Sequence, residues 1–382
     1  MSRFQITRRS FVTKASAGAL ALASGVSSQV EGTPSPIDVP SNLQDSWVEI
    51  KKGIYGAKPD GSGPIGGGKG YGNLVTSGDF VVQDFDELLK ALAVAKPGQV
   101  VFIPAETWIN LTTHIYIDEF VLKIPEGVTL ASDRGYKGSK GALLTSHSHK
   151  TPAMITAGGP NVRITGLRIQ GPNPHRHLEH HKRSFGPGGL GREYYYKFPV
   201  SRGIVTDHPG LEVDNCEISA FSASAIYLRK GDEHHIHHNF IHQCQYNGLG
   251  YGISHGAASS LIERNTFNEN RHSLAGTGVP QSGYIARHNI ELGVSLSHCF
   301  DMHGGRDRKD ETDIAGTTIE IYNNTFRAPE TAVVIRGIPE EKCEVYHNWF
   351  VKHQDVEQAV RGISNKTIVF NNVYGKKPTE VK

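Results

Sequence analysis

Ile262-Glu-Arg-Asn265-Thr-Phe267 is a motif that the chain repeats with variations. In each copy an asparagine follows three positions after an aliphatic residue, and an apolar residue comes one or two positions later. Full copies also begin at Ile236, Ile321, Val345 and Val369, and a degenerate copy runs Ile285-Ala-Arg-His-Asn289-Ile290. Between the leading aliphatic residues the spacings are 26, 23, 36, 24 and 24 residues.

A repeat near 24 residues, with short strands and asparagine at the turns, is typical of a β-solenoid. One coil cannot bury its own apolar face, so stacked coils supply the core. Asparagine suits the turns because it tolerates the left-handed backbone region and its side chain can bond to a neighbouring coil. The Leu-x-x-Leu-x-Leu frame of a leucine-rich repeat is absent, and a propeller blade would need about 40–45 residues. The sequence therefore predicts an all-β chain folded as a parallel β-helix.

One amphipathic helix is expected ahead of the repeats, over residues 84–98. Asp84 can cap its start, apolar residues recur at helical spacing, and Lys96-Pro97-Gly98 ends it. We expect this helix to cover the open N-terminal end of the stack.

The sequence around this helix resembles that of a known group of proteins. Residues 95–104, Ala-Lys-Pro-Gly-Gln-Val-Val-Phe-Ile-Pro, are similar to the opening of right-handed parallel β-helix enzymes of the pectate-lyase-like superfamily. Ile54-Tyr-Gly-Ala-Lys-Pro-Asp-Gly61 resembles their Tyr-Gly-Ala start. The resemblance implies a right-handed parallel β-helix, and we expect this domain to span residues 50–376.

The N-terminus is expected to be an export signal. Arg8-Arg9-Ser10-Phe11 and Lys14 precede an apolar stretch, as in a twin-arginine leader, and a Ser/Gly/Pro-rich tract follows. The sequence therefore predicts a leader over residues 1–28, a linker over 29–49, and export by the twin-arginine route to the periplasm or the medium.

Charge and hydropathy exclude two classes of partner. The chain has 40 Lys and Arg, 38 Asp and Glu, and 20 His. Without the four basic residues of the leader, 36 basic residues oppose 38 acidic ones, so the remaining chain has a net charge of −2. That balance argues against a nucleic-acid binder, which relies on contacts to phosphate. No stretch of eighteen apolar residues exists, so we expect no membrane span.

The four cysteines are far apart and form no Cys-x-x-Cys pair, which argues against a zinc ribbon or a redox dithiol. Cys244 and Cys299 have apolar or aromatic neighbours and are expected to be packed thiols.

A possible reaction surface follows from the strand that precedes each asparagine strand. Aligning these strands by their inward residues Leu228, Ile253, Leu274, Met302 and Ile335 predicts which neighbours point outward. The outward set has a floor of small residues and walls of charged or aromatic ones. It consists of Tyr227, Arg229, Gly252, Ser254, Ser273, Ala275, Asp301, His303, Val334 and Arg336. Such a groove would suit a linear polymer.

The polar residues around this groove match the needs of β-elimination from a uronate glycan such as alginate or pectate. The reaction needs a cation to neutralise the C6 carboxylate, a base to remove the C5 proton and an acid to protonate the leaving oxygen. We expect Arg271 or Arg287 at the carboxylate, His272 or His303 as base, and Tyr251 or Tyr284 as acid. The further expected substrate contacts are Arg229, Lys230, His255, Asp301, Arg306 and Arg336. Ca²⁺ could replace arginine in the first step, although the sequence names no ligands for it. We expect Arg271, His272, Tyr284 and His303 to lie side by side on one external surface.

Other functions stay open at this point. A uronan C5-epimerase shares the first two steps. A glycoside hydrolase needs two carboxylates roughly 5–10 Å apart, for which Asp301, Asp207 and Asp232 are the candidates. A non-catalytic glycan-binding module would need aromatic platforms without a titratable cluster. The run His234-His-Ile-His-His238 is not expected to be a metal site, because neighbours on a strand face opposite ways.

Residues 171–191 and the following Tyr194-Tyr195-Tyr196 are expected to form an inserted loop that overhangs the groove and stacks on sugar rings.

Overall fold

The computed structural model describes residues 45–382. The predicted leader, residues 1–28, and residues 29–44 of the predicted linker lie outside the described residues. No helix in the described range is long and apolar enough to cross a membrane.

Thirty short strands make up most of the described chain. In chain order they are β1 Trp47–Ile50, β2 Gly53–Gly56, β3 Phe80–Val81, β4 Val100–Phe102, β5 Trp108–Asn110, β6 Leu122–Ile124, β7 Thr129–Ala131, β8 Leu143–Thr145, β9 Ile155–Ala157, β10 Arg163–Thr165, β11 Arg168–Gln170, β12 Arg202–Thr206, β13 Glu212–Asp214, β14 Glu217–Ser219 and β15 Ser224–His237. They continue with β16 Phe240–His242, β17 Tyr251–Glu263, β18 Thr266–Asn268, β19 His272–Gly276, β20 Gly283–Arg287, β21 Ile290–Glu291, β22 Phe300–Met302, β23 Thr318–Tyr322, β24 Thr325–Phe326, β25 Val333–Ile335, β26 Lys342–Tyr346, β27 Trp349–Phe350, β28 Val360–Arg361, β29 Thr367–Phe370 and β30 Val373–Tyr374.

The helices are few and short. They are α1 Phe85–Val94, α2 Thr112–Asp118, α3 Leu178–Phe185, α4 Gly191–Tyr195, α5 Gly305–Arg308 and α6 Val356–Ala359, with one 3₁₀ turn at Tyr136–Gly138. The predicted helix over 84–98 corresponds to α1, in which Asp84 caps the start by accepting a hydrogen bond from Glu87 N at 2.8 Å. Its Leu88 and Leu92 are buried in the core beside the first coils.

Parallel pairing stacks the coils into three sheets. Sheet 1 consists of β6, β9, β12, the first part of β15, the first part of β17, β19, β22, β25 and β28. Sheet 2 consists of β3, β4, β7, β10, β13, the second parts of β15 and β17, β20, β23, β26 and β29. Sheet 3 consists of β5, β8, β11, β14, β16, β18, β21, β24, β27 and β30. This arrangement is a parallel β-helix, as the repeat predicted.

The core consists of columns of inward side chains that stack from coil to coil. The inward column of sheet 3 is aliphatic in the early coils and aromatic in the later ones, where Phe267, Phe326, Phe350 and Tyr374 follow one another. One member breaks the pattern, because Glu291 stands between Phe267 and Phe326. The four cysteines are buried and free, which confirms the expectation of packed thiols at Cys244 and Cys299.

The repeated asparagines form a ladder at the corner between sheets 2 and 3. Asn289 Nδ2 donates to Asn324 Oδ1 at 3.0 Å, and the same bond links the successive members from Asn239 to Asn372. The degenerate copy therefore belongs to the series. The left-handed backbone lies one residue earlier than the sequence predicted, as at His288 with φ 54°. The asparagine side chain is thereby free to bond along the stack.

Residues 45–73 form a strap along this same corner. β1 and β2 pair as an antiparallel hairpin, so residues 47–49 are part of a folded hairpin instead of the predicted linker. Ala57 N donates to Thr325 Oγ1 at 2.9 Å, and Gly66 N donates to Arg264 O at 2.8 Å. At its far end Tyr71 donates to Asp214 Oδ2 at 2.9 Å. The strap therefore crosses the later coils first and the earlier coils last.

Candidate active site

The outer face of sheet 1 carries the candidate site, on three rows of side chains, two of which strand pairing brings into register. The first row contains Arg202, Ser224, Tyr251 and His272, and the second contains Tyr227, Ser254, Ala275 and Asp301. The third row follows two residues after the second and includes Thr277 and His303. These rows surround a cavity of ≈ 200 Å³.

Asp301 is the electrostatic centre of the site. Its side chain points outward but is fully buried under its neighbours. Arg336 makes a bidentate contact, with Nε 2.9 Å from Oδ1 and Nη2 2.9 Å from Oδ2. Nε2 of His303 lies 2.9 Å from Oδ2, and Nε2 of His298 lies 3.3 Å from Oδ1. Burial alone would raise the pKa of Asp301, but the imidazoles of His298 and His303 hold it well below the usual range, so Asp301 is a carboxylate.

His272 lies behind this centre, with no exposed side-chain surface. Its Nδ1 lies 2.6 Å from His298 O, which accepts only if Nδ1 carries the proton. Nε2 therefore carries the lone pair, and it lies 3.9 Å from Asp301 Oδ2. Burial, with help from Arg271, lowers the pKa of His272 to about 2, so the ring is neutral. Since it is sealed from solvent, His272 is unsuited to take a proton from a substrate.

Tyr251 lies at the edge of the cavity and is partly exposed. Its ring stacks on that of His272, with centroids 5.8 Å apart and planes 11° apart. The Arg271 guanidinium lies 6.0 Å from the centre of the Tyr251 ring. Burial raises the pKa of Tyr251 although Arg271 lowers it in part, so the phenol keeps its proton at neutral pH.

Arg202 lines the cavity from the earlier coil and was not among the predicted site residues. Its guanidinium lies 5.7 Å from the centre of the Tyr227 ring, and Nη1 donates to Pro152 O at 3.5 Å. In the described part of the chain no carboxylate is paired with it. A half-buried guanidinium without a carboxylate partner is suited to bind an anionic ligand.

The insertion after β11 supports one wall of the cavity. It contains α3 and α4, and Tyr195 at the end of α4 stacks on Tyr246 with centroids 4.9 Å apart. Tyr195 also donates to Asn247 O at 2.7 Å. This contact steadies the loop that carries Leu249 to the cavity rim. Tyr195 is buried, so it cannot stack on a sugar ring as the sequence suggested.

Two predicted site residues have side chains that face the core of the β-helix instead of the cavity. Tyr284 is fully buried on the inner face of sheet 2, and its hydroxyl donates inside the coil to Asp301 O at 3.4 Å. The prediction of Tyr284 as an acid on the external surface is therefore wrong. His255 is also fully buried, with Nε2 2.7 Å from Ser260 Oγ. His255 is among the residues around the cavity, but its side chain is on the core side and has no exposed surface, so it cannot contact a substrate there as predicted.

Four further predicted residues lie outside the cavity. Arg287 is on the outer face of sheet 2, where Nε donates to Glu263 Oε2 at 2.8 Å, so it cannot serve a carboxylate on sheet 1. Arg229 is on sheet 1 but pairs with Asp207. Lys230 is exposed at the next position. Arg306 in α5 is 86% exposed and lies 3.8 Å from Asp313.

The predicted alignment of the strands was off by two residues at two places. Leu228 pairs with His255 instead of Ile253, and Leu274 pairs with Phe300 instead of Met302. A shift of two keeps each side chain on its face, so Tyr227, Ser254, Ala275, Asp301 and His303 do point outward. Gly252 and Ser273 differ, because two successive residues face the core where the chain enters sheet 1. Cys299 and Phe300 are a clear example of two successive residues that both face inward, since both are buried in the core.

Arg202 and His298 are the two important residues that the sequence did not identify. Extending the predicted outward set by one coil towards the N-terminus would have reached β12 and Arg202. His298 lies in the turn before β22, where no period-two rule applies.

Two groups within the described residues have donor atoms close enough to hold a metal ion. One is His272, His298 and Asp301, and the other is Glu212, Asp214 and His237 on sheet 2. Each contains imidazole, so neither is the all-oxygen set that Ca²⁺ prefers.

Comparison with known protein families agrees with this architecture. A family model described as a right-handed beta helix region matches residues 201–374. A search of curated proteins gave no match. An alginate lyase from Paenibacillus sp. strain FPU-7 is similar in structure at 14% identity and a TM-score of 0.47, with 78% of this chain and 97% of that chain covered. A family 28 exopolygalacturonase from Yersinia enterocolitica is similar at 14% identity and a TM-score of 0.39, with 80% of this chain and 66% of that chain covered. The chain is a right-handed parallel β-helix.

Proposed function

We propose that this protein is a polysaccharide lyase that cleaves a uronate-containing glycan by β-elimination in the cavity on sheet 1. One observation carries the proposal. The cavity combines a guanidinium without a carboxylate partner (Arg202), a phenol (Tyr251) and an imidazole (His303), while none of the twelve residues that line it within the described range 45–382 is an acid. These are the groups that elimination needs, and they leave the cavity without negative charge to repel an acidic polymer.

Each group has a role that follows from its surroundings. Arg202 binds the C6 carboxylate and thereby lowers the barrier to removing the C5 proton. Asp301 lies beside Nε2 of His303 and favours the proton there, so the Nδ1 lone pair acts as the base. The electrons of the broken C5–H bond form the C4–C5 double bond as the C4–O bond breaks. Tyr251 gives its proton to the leaving oxygen, which balances the reaction.

The hydrolase alternative is weaker on this geometry. Hydrolysis needs two carboxylates across the scissile bond. Asp301 is fully buried and held by Arg336, and Asp207 is paired with Arg229 outside the cavity. Asp232 accepts from Ser259 on the exposed surface. None of these three carboxyl groups lines the cavity, so an acid–base pair of the hydrolase kind is lacking there.

The test is a panel of alginate, pectate and other uronate polymers beside neutral glycans, each with and without a chelator. We expect absorbance from unsaturated uronate ends to rise with at least one uronate polymer. Release of reducing ends without that absorbance would favour a hydrolase, and exchange of the C5 proton without cleavage would favour an epimerase. Binding without any of these reactions would leave a glycan-binding protein.

Variants separate the roles on the polymer that reacts. His303→Gln and Tyr251→Phe should each reduce kcat by at least about 100-fold, the low end of the effect of an acid or base. Arg202→Met should raise KM and lower kcat together, because this arginine both binds the C6 carboxylate and lowers the barrier to removing the C5 proton. Arg229→Met is the matched control, because this arginine is on the same sheet but is already paired with Asp207. Equal losses in all four variants would contradict the assignment.

A further inference from the structure

We propose that His272, His298 and Asp301 form a binding site for a divalent transition metal such as Zn²⁺ or Co²⁺, and that the metal competes with Arg336 for the Asp301 carboxylate. The site lies beside the reaction cavity and shares Asp301 with it, because Asp301 also orients His303, whereas His272 and His298 have no role in the proposed elimination. The inference does not depend on the reaction proposed above.

The spacing of the donor atoms fits a small ion. The three donor atoms all lie within 4.8 Å of one another. Nε2 of His298 is 3.3 Å from Asp301 Oδ1, and Nε2 of His272 is 3.9 Å from Oδ2. Two ligands of a tetrahedral ion, each about 2.1 Å from it, are about 3.4 Å apart. The observed distances therefore need only a small adjustment to accommodate such an ion.

The proton positions also fit. Nδ1 of His272 donates to His298 O, so the Nε2 lone pair is directed at the carboxylate. A backbone carbonyl on the far nitrogen is the usual partner of a metal-binding histidine. Nε2 of His298, which lies 3.3 Å from Asp301 Oδ1, presents its lone pair to an ion once its proton moves to Nδ1, where Ser297 Oγ lies 3.4 Å away.

A buried atom without a partner marks the position. Nε2 of His272 is buried and makes no hydrogen bond. A buried nitrogen lone pair that faces a carboxylate is unfavourable unless a proton or a cation stands between them. A metal ion would remove this cost, whereas water would need more room and more partners.

Arg336 now supplies the positive charge that Asp301 requires. Asp307 offers this arginine another partner, because its Oδ2 lies 3.5 Å from Nη1. If the guanidinium shifts towards Asp307, the carboxylate and Nε2 of His298 become available to an ion. Two imidazoles and one carboxylate favour Zn²⁺ or Co²⁺ over Ca²⁺ or Mg²⁺.

The second cluster lacks these features. Asp214 is fully engaged by Arg163, Tyr71 and Thr165, at 2.8–2.9 Å. Neither Glu212 nor His237 has a buried atom without a partner. We therefore assign the metal site to the cluster on sheet 1.

The test measures metal binding directly, on untagged protein that has been stripped with chelator. Calorimetry with Zn²⁺ and the visible absorption of Co²⁺ report binding without substrate. We expect one strongly bound ion per chain and Co²⁺ bands typical of a site with few ligands. His272→Gln and His298→Gln should weaken binding at least tenfold, and Arg336→Gln should tighten it at least tenfold. His235→Gln, which changes a partly exposed histidine on sheet 2, should leave the affinity unchanged.

Thermal unfolding of the metal-free variants shows whether each is folded. The proposal is overturned if the folded wild-type chain binds no stoichiometric ion, or if folded His272→Gln binds as well as wild type. Binding by Arg336→Gln alone would also overturn it, because the wild-type chain would then not release Asp301. Loss of affinity in His235→Gln would assign the ion to sheet 2 instead.

Discussion

Replacing the buried carboxyl group of Glu291 should change how the stability of the fold depends on pH. It occupies one position in the inward column of sheet 3, between Phe267 and Phe326. Both of its carboxyl oxygens are buried without a hydrogen-bond partner. Burial raises its pKa to about 8, and nearby Glu330 adds to the rise while Ser273 opposes it.

The size of the effect follows from the difference between the folded and unfolded pKa. The ordinary value is 4.5, and each pKa unit between two states corresponds to about 1.4 kcal/mol. Below pH 4.5 the group is neutral in both states and costs no ionisation energy. As pH rises from 4.5 to 8, the unfolded chain ionises first, so stability falls, by up to about 5 kcal/mol. Above pH 8 the loss is complete and the curve levels off.

The experiment compares Glu291→Gln with wild type by urea unfolding at pH 5, 7 and 9. Glutamine keeps the shape but cannot ionise, so the two proteins should differ by less than about 1 kcal/mol at pH 5. The variant should become the more stable one at pH 7 and more so at pH 9. Glu106→Gln, at an exposed position, is the control and should show no such trend. A difference that stays constant with pH, or a variant that is less stable at pH 9, would refute the reasoning.

Three further outcomes are expected. Asn289→Ala removes four buried side-chain hydrogen bonds from the ladder. At about 1 kcal/mol each, their loss should lower the free energy of unfolding in urea by about 4 kcal/mol. A decrease of less than about 1 kcal/mol would contradict the ladder's role. Tyr284→Phe should leave turnover on a uronate polymer within about twofold, because its hydroxyl faces the core; a 100-fold loss would restore it as the acid. Gly67→Ala should detach the strap, because φ is +67° and the added carbon would lie 2.3 Å from His238 O; faster proteolysis of the strap is the readout, and unchanged proteolysis would count against the contact.

Much of the fold was predictable because a solenoid repeats its chemistry. The motif around Asn265 recurs at nearly constant spacing, and each copy lies at the same corner. The capping helix was predictable from Asp84 and the apolar spacing that follows it. The position of the residue with left-handed backbone could not be predicted in the same way. Asparagine tolerates that conformation, but its side chain can also form hydrogen bonds along the stack, and the sequence does not show which of the two it does. Only the hydrogen bonds distinguish these two uses, and they assign the bonding role to asparagine.

The site was predictable in part, for a physical reason that applies to each residue. Asp301 and His303 were found because a strand alternates its faces. Tyr284 was misplaced because it lies beyond a corner, on sheet 2, where the count that works for sheet 1 does not carry over. His298 lies in a turn, and Arg202 lies a coil before the predicted surface. Partners in space, such as Arg336 on Asp301, require the register between neighbouring coils.

The strap gives the stack of coils long-range contacts that a plain solenoid lacks. In a plain solenoid each coil touches only its neighbours, so the ends can fray while the middle persists. Here Ala57 is bonded to Thr325, 268 positions away, and the same segment reaches back to Asp214. The first described residues can therefore pack in place only after the late coils have folded. Unfolding of the late coils would also release the strap from the early coils. The strap makes distant coils fold and unfold cooperatively, as one body.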